Sequence, residues 1–242
     1  MNKKPAVLIT GAGTGIGEAT ALLFSKHGHD IVLVGRRLDK LKKVANKLKT
    51  KAFVYSCDIS SLKDVLALTK DVSKKCPHLG ILVNNAAMFE QTNFKNSSDQ
   101  LWADMLQTNL IAPVRLIHGL LPLFLKNKDS VVVNVASTAG LRPLASMTAY
   151  SVSKAGLIHL TQSLALEFAQ KNIRFHAVCP GVVDTPIHEG KRKESISEMD
   201  KWHPLGRVGK PGEVARAIYY LACESDWMTG VILPVDGGIS LL

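Results

Sequence analysis

Short apolar runs alternate along this chain with longer segments whose apolar residues recur at helical spacing. The runs are rich in Val, Ile and Leu and predict seven strands, at residues 6–10, 31–34, 53–56, 81–84, 131–135, 174–178 and 231–235. The segments between them predict helices at residues 15–28, 38–48, 62–75, 98–126, 149–171 and 211–223, the fourth with a kink near Pro113. Strands that are apolar throughout are typical of a sheet covered on both faces. The pattern therefore predicts an α/β fold, a doubly wound seven-stranded parallel sheet with helices on both faces.

Length and composition favour one soluble domain over residues 1–242. Of the 242 residues 46% are hydrophobic, and the mean hydropathy is +0.11. We find no internal repeat, linker or low-complexity stretch. The first apolar run is too short for a signal peptide. The longest apolar stretch, 110–125, is interrupted by Arg115 and His118, so no membrane span is expected.

The four cysteines are scattered without a Cys-x-x-Cys spacing, at Cys57, Cys76, Cys179 and Cys223. This distribution predicts neither disulfides nor a cysteine metal site, and it fits a reducing, cytoplasmic location. His118, His159 and His176 also lack a metal-like spacing, so no metal is predicted. The net charge of +10 permits a nucleic-acid or anionic-membrane partner. However, the lysines of 40–51 and 63–75 are spread over solvated helix faces, and no aromatic-studded basic face supports nucleic-acid binding.

Tyr150 and Lys154 carry the first candidate chemistry. Four residues apart on a helix, they lie on one face and one turn apart. The same stripe continues through Leu157, Thr161 and Phe168, so it should face the core. An ammonium held inward beside a phenol can lower the tyrosine pKa from its usual value of about 10 and make it an acid or base near neutral pH. The alternative is a core tyrosine with a snorkelling lysine.

A glycine-rich turn follows the first strand, in the run Thr-Gly-Ala-Gly-Thr-Gly-Ile-Gly of residues 10–17. Glycines there allow a tight turn and a close approach of the backbone to a pyrophosphate, and the next helix offers its N-terminus to the phosphates. The residues predicted to bind a dinucleotide in this turn are Gly11, Gly13, Thr14, Gly15, Ile16 and Gly17.

Two arginines follow the second strand. An acidic residue at that strand's end would bind the free 2′-hydroxyl of NAD, but here Gly35 is followed by Arg36 and Arg37. Two guanidinium groups suit a 2′-phosphate better, so the sequence predicts NADP(H). Asp39 is explained by the dipole of the next helix. The alternative is that both arginines are ordinary surface residues.

Asp58, with Ile59, follows the third strand and could accept a hydrogen bond from the adenine amino group. The competing interpretation is an N-cap for the next helix, a role for which Ser60 and Ser61 are equally available.

In order and spacing, these motifs resemble the short-chain dehydrogenase/reductase family over essentially the whole chain. The remaining matches are Asn84-Asn85-Ala86-Ala87, Asn109, Ser137, Pro180-Gly181 and Thr185. The resemblance implies a Rossmann-type fold and a catalytic set of Asn109, Ser137, Tyr150 and Lys154. It also implies cofactor contacts from Asn85, Ala86, Ala87, Tyr150, Lys154, Pro180, Gly181, Val183 and Thr185.

The mechanism that the resemblance implies assigns a role to each catalytic residue. Ser137 and Tyr150 bind the substrate carbonyl, Tyr150 donates the proton, and Lys154 binds the nicotinamide ribose and lowers the tyrosine pKa. Asn109 anchors a water that connects Lys154 to solvent. Taken singly, Ser137 could be a simple cap and Asn109 a helix kink. Two departures from the family pattern are Ala87 in place of a glycine and His176 in place of an asparagine.

Residues 182–204 are expected to cover the substrate as a lid, mixing Ile187, Met199 and Trp202 with the basic run 191–193. An apolar pocket is predicted from Met88, Phe89, Leu141, Leu144 and Met147.

The family members that the chain resembles by length and by its ending include the β-ketoacyl-(acyl carrier protein) reductases. A carrier-linked ketoacyl substrate is therefore one hypothesis, with Lys126, Lys128 and Lys171 attracting an acidic carrier. A ketone, sugar or steroid alcohol is the alternative among small-molecule carbonyl and alcohol substrates. A dinucleotide-sensing regulator without turnover is disfavoured, because it has no need of the catalytic set. The resemblance also implies a homotetramer.

Overall fold

The computed structural model describes residues 4–127, 129–188 and 196–242. Its strands are β1 (Ala6–Thr10), β2 (Ile31–Gly35), β3 (Ala52–Ser56), β4 (Leu79–Asn84), β5 (Ser130–Val135), β6 (Ile173–Pro180) and β7 (Ile232–Val235). Its helices are α1 (Gly15–Lys26), α2 (Leu38–Ala45), α3 (Leu62–Lys75), α4 (Asp99–Leu106), α5 (Ala112–Lys126), α6 (Thr148–Phe168), α7 (Ile196–Asp200) and α8 (Pro211–Cys223).

The seven strands form one parallel sheet in the order β3-β2-β1-β4-β5-β6-β7. The predicted α/β fold with a Rossmann-type, doubly wound sheet is therefore confirmed. The strand order reverses between β1 and β4, which are neighbours in the sheet but far apart in sequence. At such a point the loops that leave two adjacent strands turn to opposite faces and open a crevice at the carboxyl edge.

Apolar side chains on the two faces of the sheet form two cores. On one face α3, α5 and α6 cover the sheet, and Val72, Leu120 and Phe175 are among the buried residues. On the other face α1, α2 and α8 cover it, with Phe24, Leu41 and Ile218 in the core. Because both faces are covered, the central strands are buried along their whole length, as their uninterrupted apolar sequences predict.

The helix irregularity predicted as a kink near Pro113 is a π-helical turn, and it lies a few residues earlier in the chain. Residues Gln107–Ile111 form a π-helical turn between α4 and α5, and Pro113 lies in the first turn of α5. A proline is tolerated there because its missing N–H has little consequence in the first turn. The π-helical turn inserts one extra residue and turns the side chain of Asn109 inward.

Among the described residues, one helical stretch is long and apolar enough, by composition alone, to cross a membrane. It runs from Asp99 to Lys126, and its most apolar window of 18 residues has a mean hydropathy of 1.4 and is 44% buried. Leu116, Leu120 and Phe124 from this stretch are completely buried in the core. Packing against the sheet is therefore sufficient to explain its apolar character.

The inward stripe predicted for α6 is present. Lys154, Leu157 and Thr161 are at most 2% exposed, and Phe168 packs at the edge of the core. The Thr161 hydroxyl accepts a hydrogen bond from Asn134 of β5 (Nδ2 to Oγ1, 2.9 Å). This contact fixes α6 against the middle of the sheet, so the position of its first turns relative to the carboxyl edge is determined.

Gly17 allows α1 to pack directly against the β1–α1 turn. A Cβ atom at this position would overlap the carbonyl oxygen of Gly11 and lie 2.7 Å from Nδ2 of Asn85. We expect Gly17→Ala to lower the free energy of unfolding by about 1–3 kcal/mol, the usual cost of overpacking. Gly212→Ala is the matched control, because Gly212 lies in α8 with nothing within 4 Å of an added Cβ.

The control should be neutral or stabilising by up to about 1 kcal/mol, since alanine is the better helix former. Urea unfolding of both variants measures the two changes. Equal stability of the variants would contradict this account of the turn.

Candidate active site

A cleft of ≈ 650 Å³ opens at the carboxyl edge of the sheet, at the point where the strand order reverses. Its walls come from the segments that follow β1, β2, β3, β4, β5 and β6 and from the start of α6. Residues far apart in sequence therefore meet at one site. This is the position expected for ligands of doubly wound sheets.

The glycine-rich turn forms the floor of the cleft and is fastened to β4. Gly11 and Gly15 have φ angles of +64° and +58°, a region that favours glycine. Nδ2 of Asn85 donates to the carbonyl oxygen of Thr10 (2.8 Å), and the Thr10 hydroxyl accepts the backbone N–H groups of Asn85 and Ala86 (both 2.9 Å). These bonds use the polar groups on the side of the turn that faces β4. The side that faces the cleft, at the N-terminus of α1, is therefore available to the phosphates of a ligand.

A cluster of three cations lies at the end of the cleft beside β2. Arg36, Arg37 and Lys40 all line it, and Nη2 of Arg37 lies 3.4 Å from the hydroxyl of Thr14. Asp39 is exposed on the first turn of α2. Lys40, which the sequence pattern assigned to a solvated helix face, is therefore corrected to a cleft residue. Its spacing of three residues from Arg37 on a helix was the available signal.

Asp58 lines the cleft together with Ile59, and it also forms a local turn. Its Oδ1 accepts from the backbone N–H and the hydroxyl of Ser60 (2.9 and 2.8 Å). The N-cap of α3 is Ser61, whose hydroxyl accepts from the N–H of Asp64. The competing N-cap interpretation is thus wrong for Asp58, and its second carboxylate oxygen remains compatible with a ligand contact.

Lys154 and Tyr150 both line the cleft, on the first turns of α6. Lys154 is 2% exposed, and its Nζ donates to the carbonyl oxygen of Val135 at the end of β5 (2.8 Å). The same Nζ lies 5.8 Å from the centroid of the Tyr150 ring. Burial lowers the pKa of the Lys154 ammonium to about 8. A cation and a phenol are therefore held together where bulk water is largely excluded.

Ser137 projects into the cleft two residues after β5. Its Oγ accepts the N–H of Ala139 (3.1 Å) and caps a short 3₁₀ turn, Thr138–Gly140. Ser137 is therefore a cap, as the alternative interpretation of the sequence held, but the cap occupies only an acceptor site of its hydroxyl. A serine hydroxyl keeps its hydrogen for donation to another oxygen, so the cap and a catalytic contact are compatible.

Asn109 lies behind the cleft wall, 1% exposed in the π-helical turn. Its Oδ1 accepts the N–H of Met88 (2.8 Å), and its Nδ2 donates to Met88 O (2.9 Å) and to the hydroxyl of Ser153 (3.0 Å). Ser153 in turn donates to the carbonyl oxygen of Tyr150 (2.7 Å). Asn109 thus ties the loop after β4 to the first turns of α6, which carry Tyr150 and Lys154. That it anchors a water beside Lys154 stays a prediction.

Nearly all the predicted site residues meet in this cleft. Those that line it are Gly11, Gly13, Thr14, Gly15, Ile16, Arg36, Arg37, Asp58, Ile59, Asn85, Ala86, Ala87, Ser137, Tyr150, Lys154, Pro180, Gly181, Val183 and Thr185. Asn109 and Gly17 do not line the cleft: Asn109 is 1% exposed and binds the loop after β4, and Gly17 packs against the β1–α1 turn. Their predicted roles in catalysis and in cofactor binding stay predictions. Sequence patterns missed Thr108 and Ile239, which also line the cleft and carry no signal of their own.

Apolar side chains surround the part of the cleft near Tyr150. Met88, Phe89, Leu144 and Met147 line it as predicted, whereas Leu141 does not line the cleft.

The described part of the predicted lid contributes Ile187 and Trp202 to the cleft, and Met199 is buried beneath. His203 joins this segment to the chain just after β6, since its Nε2 accepts the N–H of Val182 (3.2 Å). The basic run 191–193 lies outside the described residues.

Lys126 and Lys171 lie at the opposite edge of the sheet. Lys126 ends α5 and Lys171 comes after α6, where the chain returns to the amino ends of the strands; Asn127 donates to the carbonyl oxygen of Leu79 at the start of β4 (2.7 Å). Neither lysine lines the cleft. Attraction of an acidic carrier by these lysines stays a prediction. Lys128 lies outside the described residues.

His176, which departs from the family pattern, is completely buried in β6. Burial lowers its pKa to about 4, and Nη1 of Arg174 lies 3.5 Å from its Nε2. The ring is therefore neutral at physiological pH and accepts a hydrogen bond from the guanidinium. In the part of the chain that the structure describes, no group of three or more His, Cys, Asp or Glu side chains could hold a metal ion.

The buried ammonium of Lys154 predicts a pH-dependent cost in stability. Its pKa of about 8 in the folded protein lies below the value of about 10.4 in an unfolded chain. The penalty is therefore fully present below about pH 8 and disappears as the pH rises towards the unfolded value. Relative to the wild type, we expect Lys154→Met to lose about 2–3 kcal/mol of its stability advantage between about pH 7 and about pH 10.

Urea unfolding of both proteins at the two pH values measures this difference. Lys171→Met, at an exposed position, is the control and should show no such dependence. A Lys154→Met difference that does not change with pH would contradict the burial argument.

Comparisons with known proteins agree with this geometry. A family model described as enoyl-(acyl carrier protein) reductase matches residues 11–240. A 3-oxoacyl-(acyl-carrier-protein) reductase FabG of Thermotoga maritima is 34% identical over 236 residues, which cover 96% of each chain. The human 3-oxoacyl-(acyl-carrier-protein) reductase is 32% identical over 242 residues, covering all of both chains.

A solved structure extends the likeness to three dimensions. The 3-ketoacyl-(acyl-carrier-protein) reductase from Brucella melitensis, complexed with NADH, superimposes with a TM-score of 0.91 at 31% identity and covers 98% of each chain. The sequence and the fold thus have counterparts over nearly the whole length of known reductases. This chain belongs to the short-chain dehydrogenase/reductase family.

Proposed function

We propose that this chain reduces the carbonyl group of a 3-oxoacyl thioester with NADPH, as a single catalytic domain over residues 1–242. The observation that carries the proposal is the buried ammonium of Lys154 beside the ring of Tyr150, on the same cleft as Ser137. A cation in such a position stabilises the ionised phenol and so prepares it for proton transfer. A purely structural role would not require this costly arrangement.

The cleft fits a nicotinamide dinucleotide. Gly11 and Gly15 have the φ angles that the turn needs, and the backbone of this turn faces the cleft at the N-terminus of α1. Arg36, Arg37 and Lys40 supply three positive charges at the β2 end, which favours a 2′-phosphate and hence NADP(H). The further residues proposed to hold the cofactor come from the turns after β3, β4 and β6, and they are Asp58, Ile59, Asn85, Ala86, Ala87, Pro180, Gly181, Val183 and Thr185.

When bound, the cofactor supplies the hydride. The chain's own residues bind and polarise the carbonyl: the hydroxyls of Ser137 and Tyr150 donate to its oxygen and stabilise the negative charge that develops there. Tyr150 then transfers its proton to that oxygen, giving a secondary alcohol. Lys154 holds the ribose and the phenolate charge, and Asn109 maintains the geometry through Met88 and Ser153. In the oxidative direction the same groups work in reverse.

The proposed substrate class follows from the relatives and from the lining of the cleft. Relatives over the full length are named 3-oxoacyl-(acyl-carrier-protein) reductases. Met88, Leu144 and Met147 surround the space beside Tyr150 with apolar groups that suit an acyl chain better than a polyhydroxylated sugar. Residues 182–204 are proposed to close over the substrate, with Ile187 and Trp202 facing it.

We place the enzyme in the cytoplasm and propose that it forms a homotetramer. The four cysteines are free thiols, three of them buried, as suits a reducing compartment.

Exposed apolar side chains support the proposed homotetramer. Trp227 is fully exposed and Leu241 is 87% exposed, and such apolar side chains are typical of surfaces covered by another subunit.

The phenol hydroxyl is the group whose removal tests catalysis directly. We expect Tyr150→Phe to lower kcat about 10²- to 10⁴-fold, because the variant has no proton to donate. Its affinity for NADPH should be nearly unchanged, since the aromatic ring remains. Tyr220→Phe is the matched control at a half-exposed position of α8 and should keep full activity.

Steady-state rates with an acetoacetyl thioester and NADPH fluorescence titrations measure the two effects. Equal turnover of Tyr150→Phe and the wild type would contradict the role proposed for Tyr150. A wild type that binds NADPH without turning over the thioester would instead favour a dinucleotide-sensing protein on the same fold.

The cations beside β2 predict the cofactor preference. We expect Arg37→Ala to raise the KM for NADPH about tenfold or more and to leave the KM for NADH nearly unchanged, since only NADPH carries the phosphate that a charge-assisted hydrogen bond would hold. Lys43→Ala removes an exposed cation of α2 outside the cleft and should alter neither value. Parallel steady-state assays with NADPH and with NADH measure the two KM values for each protein. A strong NADH preference of the wild type would contradict the NADP(H) assignment.

A further inference from the structure

The ring of Phe89 lies against the ring of Tyr150. Their centroids are 5.1 Å apart and their planes are inclined by 88°, an edge-to-face arrangement. Phe89 is 1% exposed and yet lines the cleft, so its ring forms part of the inner wall beside the phenol. A pair of this kind is attractive beyond simple burial, because the positive edge of one ring meets the negative face of the other.

The loop that carries Phe89 is fixed on both sides. Before it, the backbone N–H and carbonyl of Met88 are bound by the side chain of Asn109 (2.8 and 2.9 Å). After it, the N–H of Thr92 donates to the carbonyl oxygen of Ser146 (2.8 Å), which joins this loop to the segment ahead of α6. The backbone on either side of Phe89 therefore cannot shift without breaking these hydrogen bonds, and burial of the ring restricts its rotation.

We propose that Phe89 is a specificity-determining and positioning residue. Its ring holds the Tyr150 ring in orientation and fills the space beside the phenol, so that only a small substituent fits on that side of the substrate carbonyl. This inference rests on the proposed function, because it concerns the carbonyl compound that Tyr150 protonates.

The substrate class that follows is a ketone with a small or linear group beside the carbonyl. The neighbouring wall residues Met88, Leu144 and Met147 are apolar, so a linear hydrocarbon group gains by burial there. A ring attached directly to the carbonyl carbon would need the volume that Phe89 occupies. Because hydrogen bonds hold the loop and the Phe89 side chain is buried, a larger substrate binds only if Phe89 is displaced. The energy needed for that displacement weakens the binding of the larger substrate.

The experiment compares two thioesters of N-acetylcysteamine, acetoacetyl and benzoylacetyl, with NADPH as the reductant. We expect the wild type to favour the acetoacetyl compound in kcat/KM. In Phe89→Ala the preference should shift towards the benzoylacetyl compound by about tenfold or more, the scale on which hydrophobic pockets discriminate size. The kcat for the acetoacetyl compound should fall, because the Tyr150 ring loses its partner. Phe89→Leu, which refills part of the space, should lie between the two.

Phe94→Ala is the matched control. Phe94 belongs to the same connection between β4 and α4, is 69% exposed, and contacts Trp102 rather than Tyr150. The Phe94→Ala substitution should leave the ratio of kcat/KM for the two thioesters unchanged. Thermal unfolding and NADPH titration of each variant show whether the fold and the cofactor site persist.

Two results would overturn the inference. A substrate preference that is the same in the wild type, Phe89→Leu and Phe89→Ala would show that the ring does not select substrates, while the proposed reductase activity would stand. A wild type that binds NADPH but reduces neither thioester would contradict the proposed function itself, and the inference with it.

Discussion

The burial of one ammonium group is the constraint on which the site depends. The inward stripe of α6 places Lys154 in the interior, and its Nζ donates a hydrogen bond to the carbonyl oxygen of Val135 (2.8 Å). Keeping a cation there opposes folding, as the lowered pKa of about 8 reflects. That cost is offset by the apolar packing of α6, whose Leu157 and Thr161 are buried against the sheet. A helix held this firmly can present Tyr150 and the ammonium to the cleft in a fixed relation, which is the condition for proton transfer.

The strand order decides where that helix begins. Since all seven strands are parallel, the segments after β1, β4 and β5 reach the same edge of the sheet. The glycine-rich turn and the Ser137 turn thus face one cleft, although 119 residues lie between Gly17 and Ser137. Asn85 and Thr10 join the segments after β1 and β4 by direct hydrogen bonds. The glycine-rich turn is therefore fixed to the neighbouring strand of the same edge.

Asn109 shows how an irregular helix supports this edge. The π-helical turn Gln107–Ile111 directs its carboxamide inward, where it binds the backbone of Met88 and the hydroxyl of Ser153. One side chain thus links the loop that carries Phe89 to the turn that carries Tyr150. Irregular helical turns of this kind cost regular hydrogen bonding and are frequent at functional sites. Here the compensation is a set of hydrogen bonds that joins the Phe89 loop to the turn of Tyr150.

The sequence by itself determined the alternation of strands and helices, the position of the glycine-rich turn and the pairing of Tyr150 with Lys154. These features are local: apolar periodicity, glycine spacing and an interval of four residues act within a few turns of chain. Only the tertiary structure decided that Asn109 lies behind the wall, that Lys40 joins the cations of the cleft, and that Phe89 packs edge-to-face on the ring of Tyr150. Such contacts join residues from separate elements, and their geometry depends on how the helices pack on the sheet, which no local pattern specifies.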